Sequence, residues 1–180
     1  VRAPNIVART ALAAAAALLA GCFNTLDWRE FHSDEGHYSV TLPGKAHHEK
    51  RTLTTPAGNV TMQMDSTSAG DALFGVGFAE YPKDYLTRAN TDAMLDQVRD
   101  ALVNNIGARN FKETPLVRDG IASRSIHAEG RSGDRVLTLD AHLMFAGGRF
   151  YQVVVIGNAG PGRINKDALD TYFNSFRIAQ

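Results

Sequence analysis

One stretch constrains the fold of this chain more than any other. Phe150-Tyr151-Gln152-Val153-Val154-Val155-Ile156 is apolar at nearly every position. A strand with one wet face alternates polar and apolar residues, whereas a strand this uniformly apolar must be covered on both faces. It therefore belongs in the interior of a sheet, with further layers above and below. Gly147-Gly148 precede it, and Leu137, Leu139, Ala141, Leu143 and Phe145 alternate before those glycines. That pattern predicts an antiparallel hairpin.

More strand signals lie upstream. Tyr38, Val40 and Leu42 alternate with Ser39 and Thr41 before the Pro43-Gly44 turn. Thr55-Pro56-Ala57-Gly58-Asn59 reads as another turn, leading to Val60, Met62 and Met64 with Thr61, Gln63 and Asp65 between them. In the next strand Phe74, Val76 and Phe78 share one face and Gly75, Gly77 and Ala79 the other. The small-residue face admits close approach of a helix or a ligand, and helix packing is the expectation. Weaker strand signals cover Glu113–Val117 and Ile121–Ala128.

Two segments read as helices. From about Thr91 to Ile106, with Asn90 or Thr91 as cap, Met94, Leu95, Val98, Ala101, Leu102 and Ile106 form one apolar stripe. Gly107 suits the left-handed residue that ends such a helix. Near the end of the chain, Asn165 caps a helix whose Ala168, Leu169, Tyr172, Phe173 and Phe176 face inward. The fold class is α+β, with a largely antiparallel central sheet of about six to eight strands and helices on both faces.

The first part of the chain reads differently. Arg2 and Arg9 precede an unbroken apolar run, Ala11 to Ala20, which has signal-peptide length and is well short of the ~20 residues of a spanning helix. Leu19-Ala20-Gly21-Cys22 then resembles the lipobox of bacterial lipoproteins. The resemblance implies cleavage between Gly21 and Cys22 and acylation of Cys22. It divides the chain into a signal at 1–21, a lipidated tether at 22–30 and a domain at 31–180. Multiple acyl chains meet the requirement that stable anchoring takes more than one chain. Phe23 stands where lipoproteins kept at the inner membrane of some diderm bacteria carry Asp, so the outer membrane, facing the periplasm, is the expected address. Trp28 in the tether and Phe31 at the start of the domain either pack on the domain or lie among headgroups, and packing is the expectation.

Charge narrows the function classes. Without residues 1–21 the chain has 17 basic and 19 acidic residues, a formal net of −2. That balance lacks the footprint of a nucleic-acid binder and the polybasic run that holds proteins on anionic lipid. Cys22 is the single cysteine, so an acylated Cys22 leaves no thiol for a disulfide or a thiolate metal site.

Chemical motifs are weak. His47-His48 on a strand point to opposite faces, and His48-Glu49 lacks the second histidine of H-E-x-x-H because Thr52 holds that place. A metal would need His32, His37, His127 or His142 from elsewhere. Asp92, Asp96 and Asp100 recur every fourth residue on the outer face of the first helix, near Arg88 and Arg99; a solvated, ion-paired face is expected. Gly157-Asn158-Ala159-Gly160-Pro161-Gly162 matches neither phosphate-loop spacing and reads as a connecting loop. No serine sits in G-x-S-x-G. Arg118, Arg124, Arg131, Arg135, Arg149 and Arg163 enrich the C-terminal half, as charges that guard strand edges or as an anionic docking surface. We assign no catalytic residue, no metal ligand and no cofactor.

Several of these stretches are similar to one superfamily, shared by photosystem II PsbP and the eukaryotic Ran-binding Mog proteins. Trp28, Phe31 and Gly36-His37-Tyr38-Ser39-Val40-Thr41-Leu42-Pro43-Gly44-Lys45 resemble its "W…F…GFSV-PG-P" opening. Phe78-Ala79-Glu80-Tyr81-Pro82, Gly148-Arg149-Phe150-Tyr151-Gln152-Val153-Val154-Val155 and Tyr172-Phe173-Asn174-Ser175-Phe176-Arg177 resemble later segments. The resemblance spans about residues 28–178 and implies an α/β/α sandwich that docks on a larger partner. The expected function is a membrane-anchored, non-enzymatic envelope lipoprotein that binds an unknown envelope protein. The alternative is a periplasm-facing carrier of a small apolar or amphiphilic ligand held between sheet and helix.

Overall fold

A computed structural model describes residues 26–179. The elements in chain order are β1 (Arg29–Ser33), β2 (Tyr38–Leu42), β3 (His47–Thr55), β4 (Gly58–Ala69), β5 (Ala72–Glu80), α1 (Arg88–Asn105), β6 (Phe111–Arg118), β7 (Ile121–Ser132), β8 (Arg135–Ala146), β9 (Arg149–Asn158), α2 (Lys166–Ser175) and β10 (Arg177–Ile178). Seven strands form a sheet in the order β3-β4-β5-β9-β8-β7-β6, every pairing antiparallel. The doubly apolar strand, β9, occupies its middle. A second sheet of three strands, β1-β2-β10, stands apart; its last strand is two residues that pair with Ser39 and Tyr38.

Strand alternation on β9 divides the core in two. Phe150 and Val154 join Leu139, Ala141, Leu143 and Ile126 in a cluster completed by Met94, Leu95 and Val103 of α1. Tyr151, Val153 and Val155 join Phe74, Val76 and Phe78 in a second cluster, with Tyr38, Val40 and Leu42 of β2 and Tyr172, Phe173 and Phe176. Burial of each large apolar side chain contributes roughly 1.5–3 kcal/mol, and every residue of β9 from Phe150 to Val155 is buried. Buried tyrosine hydroxyls would cost stability unless bonded. Tyr151 Oη donates to the Gly36 carbonyl at 2.8 Å and Tyr172 Oη to the Gly75 carbonyl at 2.7 Å. The first ties the large sheet to the β1–β2 turn; the second ties α2 to β5.

The helix ends follow local chemistry. Asn165 caps α2, its side chain accepting from Ala168 N at 2.8 Å. The first helix begins at Arg88, three residues earlier than its apolar stripe predicts. Thr87 is the cap, accepting from Asn90 N at 3.3 Å, while Asn90 turns its side chain back to the Tyr85 carbonyl. Gly107 ends that helix at φ 66°, the left-handed conformation expected of it.

Candidate functional site

The most concentrated polar chemistry gathers around a buried carboxylate on β4. Asp65 is 5% exposed. The β3–β4 register sets His48 directly opposite it, and His48 Nδ1 lies 2.5 Å from Asp65 Oδ1. From the small sheet, the Tyr38 hydroxyl donates to the other carboxylate oxygen. Burial, reinforced by that bond to Asp65, drives the Tyr38 phenol far above its ordinary pKa, so it remains a donor. The Phe31 ring leans on the His48 imidazole at 5.6 Å. A recess of about 320 Å³ opens beside them, lined also by Ser33, Glu35, Lys50 and Gln63. Lys50 Nζ bonds Glu35 at 2.7 Å and holds that carboxyl below its usual pKa.

A carboxylate and the imidazole that it orients are two of the three members of a nucleophilic triad. Among the described residues no hydroxyl or thiol is hydrogen-bonded to the His48 ring, so the group has an orienter and a base but no nucleophile. What it does do is fasten β2 to the exposed edge of the large sheet. The Thr55–Gly58 turn, legible in the sequence, fixes this pairing, because counting back from Thr55 opposite Gly58 sets His48 against Asp65.

Other sequence candidates meet different fates. His47 points to the opposite face from His48 and is exposed. His127 pairs with Asp140 at 2.7 Å. Among the described residues no group of three or more His, Cys, Asp or Glu is arranged to hold a metal ion. The aspartate ladder of α1 is not simply solvated: Arg124 reaches from β7 to Asp96 at 2.5 Å and Asp92 at 3.2 Å. Arg99 binds Asp96, Asp100 and, on β6, Glu113 at 3.0 Å. The network fastens α1 to the sheet, and Arg124 is spent on it rather than on an external anion. In the β9–α2 loop, Asn158 Oδ1 accepts from Gly160 N and the Gly160 carbonyl from Arg163 N, so the loop satisfies these groups itself. The Gly75-Gly77 face is filled by neighbouring side chains rather than by a helix. A Cβ on Gly77 would meet Gln152 Cγ at 2.7 Å and Met62 Cε at 2.8 Å, and one on Gly75 would meet Met64 Sδ at 3.1 Å. Gly21 and Cys22 lie outside the described residues.

No family model matches the chain, and no curated protein matches it. Among solved structures it is similar to the cyanobacterial PsbP, CyanoP, of Synechocystis sp. PCC 6803, with a TM-score of 0.54 over 88% of this chain and 95% of that one. The fold is PsbP-like. Sequence identity to CyanoP is 14%, so the likeness is one of fold alone. A protein of unknown function from Pseudomonas aeruginosa, PA94, aligns over 73% of this chain and 83% of its own at 11% identity and a TM-score of 0.35, too low to carry an argument. The PsbP-like architecture agrees with the resemblance that runs from Trp28 to Arg177. Among the described residues no helix is long and apolar enough to cross a membrane.

Proposed function

We propose that this protein is a lipid-anchored, non-enzymatic PsbP-like module of the bacterial envelope, and that its domain docks a partner protein at the membrane surface. The observation that carries this reading is where the packed body starts. Trp28 stands edge-on to Phe74 with ring centroids 6.3 Å apart, and Phe31 lies 6.2 Å from Tyr38. Such pairs add about 0.5–1.5 kcal/mol beyond the area they bury, which keeps both rings on the domain and out of the headgroups. From an acylated Cys22 to Trp28 the chain reaches ~20 Å at most. The module is thereby confined to the membrane surface, where a docking partner is met at high effective concentration. In this reading α1 covers one face of the large sheet, while α2 and the small sheet cover the other. Phe23 after Cys22 favours the outer membrane, with the domain in the periplasm.

Two measurements test it. Metabolic labelling with a fatty-acid probe should mark the wild type and not Cys22→Ser; equal labelling of both removes the anchor. Crosslinking in intact cells should recover the same envelope protein repeatedly with the wild type and much less of it with Cys22→Ser. Failure to recover any reproducible partner removes the docking function and leaves the anchor standing.

A further inference from the structure

Leu26 enters the fold at one end of the large sheet. It lies beside Gly70 and Asp71 of the β4–β5 turn and beside Gly162 and Arg163 of the β9–α2 loop. Strand register places the β7–β8 turn at that same end, because Leu137 pairs with Asn158 and Ser132 with Arg135. The end of α1 joins them there, where a Cβ on Gly107 would touch the Arg131 carbonyl. The β6–β7 and β8–β9 turns lie at the opposite end.

Reach restricts how the domain sits on a membrane. Four residues separate Cys22 from Leu26, at most ~14 Å of chain. β7 runs 12 residues, or ~40 Å at the rise of an extended strand. An acylated Cys22 therefore keeps the Leu26 end near the lipid, while the far end is free to stand off or to tilt down.

Surface charge selects between those poses. Arg109, Arg131 and Arg135 are exposed at the Leu26 end and make no ion pair among the described residues. Asp71 and Asp134 are the carboxylates of the two turns, so cations are in excess. Leu73 and Val136 are exposed beside those turns. Both helices instead turn carboxylates outward, Asp92 and Asp100 on α1 and Asp167 and Asp170 on α2. Lying flat on either helix would press carboxylates against lipid phosphate. Standing on the turns presents guanidiniums, whose planar forks suit phosphate, and sets Leu73 and Val136 at headgroup depth.

We infer that this end of the sheet, formed by the β4–β5 and β7–β8 turns and the β9–α2 loop, rests on the phospholipid surface that holds the acyl chains, with Arg131 and Arg135 on headgroup phosphates. The inference rests on the acylation of Cys22 proposed above and adds an orientation to it: the strands stand upright on the membrane. The whole chain has a formal net charge of zero, so these arginines orient a domain that is already anchored and do not by themselves hold it there.

The test uses the acylated full chain in vesicles of phosphatidylethanolamine and phosphatidylglycerol, with a nitroxide on a fraction of the headgroups. Cys22 is the single cysteine, so once it is acylated an introduced cysteine is the one free thiol and takes a fluorescent label. Ser132→Cys and Ala122→Cys mark opposite ends of one face of β7, ~33 Å apart. The label at 132 should lose most of its fluorescence to the nitroxide and the label at 122 should keep its own. Adding Arg131→Gln and Arg135→Gln should shift the balance between upright and tilted poses about thirtyfold, bringing the two labels toward equal quenching. Equal quenching with both arginines present, or more at 122, overturns the inference and leaves the anchor standing. A pattern that the two Gln substitutions do not move assigns the pose to the tether alone and overturns the role of the arginines. A chain that incorporates no fatty-acid probe removes the anchor and the pose together.

Discussion

Gly130→Ala should be among the most damaging single-methyl additions in this fold. Gly130 lies on β7 where the end of α1 touches the sheet. A Cβ there would lie 2.2 Å from the Ile106 carbonyl oxygen and 2.7 Å from Ala108 N. Both obstacles are backbone, and both belong to the turn that ends α1. Gly107 makes the reciprocal approach, with its own added Cβ 2.4 Å from the Arg131 carbonyl oxygen. An ordinary contact needs more than an ångström of extra separation, so helix end and strand would have to move apart.

Overpacking by one carbon costs about 1–3 kcal/mol where side chains can yield; a backbone obstacle sets the cost at the upper end. Against it stands the roughly 0.5–1 kcal/mol gained when alanine replaces glycine in a strand. The net is about 2 kcal/mol or more of lost stability. For a domain of this size that lowers Tm by ~4–8 °C. Gly77→Ala is the control: its Cβ meets side-chain atoms only, Gln152 Cγ and Nε2 and Met62 Cε, which can turn aside where backbone cannot, and the net loss should be the smaller, about 1 kcal/mol. Urea denaturation of the three proteins measures both changes. Equal losses in the two variants, or a Gly130→Ala protein as stable as the wild type, would refute the claim that backbone contact at the α1–β7 seam determines the cost.

Three further outcomes are expected. Asp65→Ala removes the acceptor of the buried Tyr38 hydroxyl and of His48, and should cost about 2–3 kcal/mol in urea denaturation, with Tyr38→Phe costing less because it leaves the carboxylate its imidazole. His142 has a folded pKa of about 4 against an ordinary 6.5, so the unfolded chain takes up the proton first as pH falls. Stability present at neutral pH should then drop by about 2 kcal/mol on reaching about pH 5, and His142→Leu should flatten that slope. Arg124→Met should cost about 1 kcal/mol in low salt and less as salt rises, because its partners Asp92 and Asp96 are half exposed; a loss indifferent to salt would mean that packing of the Arg124 stem is what stabilises α1.

Which parts of this architecture could be read in the chain follows from the range of the interactions involved. The β8–β9 hairpin, the central place of β9, the Asn165 cap and Gly107 all rest on patterns within a dozen residues, and all appear as expected. The small sheet was not legible as separate. Its third strand is Arg177–Ile178, two residues that pair with Ser39 and Tyr38 across most of the chain, and no local periodicity marks so short a strand. Alternation on β4 sets Val60, Met62 and Met64 on one face, yet Asp65 and Thr67 of the other face are buried while Met62 and Met64 are half covered. Both faces of that strand meet structure, and the Tyr38 hydroxyl supplies the bond with which Asp65 is buried there. Arg124 of β7 looked like an edge charge because its partners, Asp92 and Asp96, are on a helix some thirty residues away.

The edges of the large sheet are built against strand addition. β3 is nearly all exposed, and His47-His48-Glu49-Lys50-Arg51 sets charge along it. β6, at the other edge, exposes Val117 at 69% and Phe111 at 42%, an apolar edge that would invite another strand. Pro115 stands in its middle with no N–H to donate, and Arg99 lies 4.9 Å over the Phe111 ring, so both the backbone ladder and the apolar edge are interrupted. Pro115→Val should therefore lengthen the unbroken row of donors and promote association through β6, measurable by sedimentation as a concentration-dependent dimer. A Pro115→Val protein that stays monomeric at the highest concentration would show that β6 is guarded by its charges, Lys112 and Arg118, and not by the missing donor.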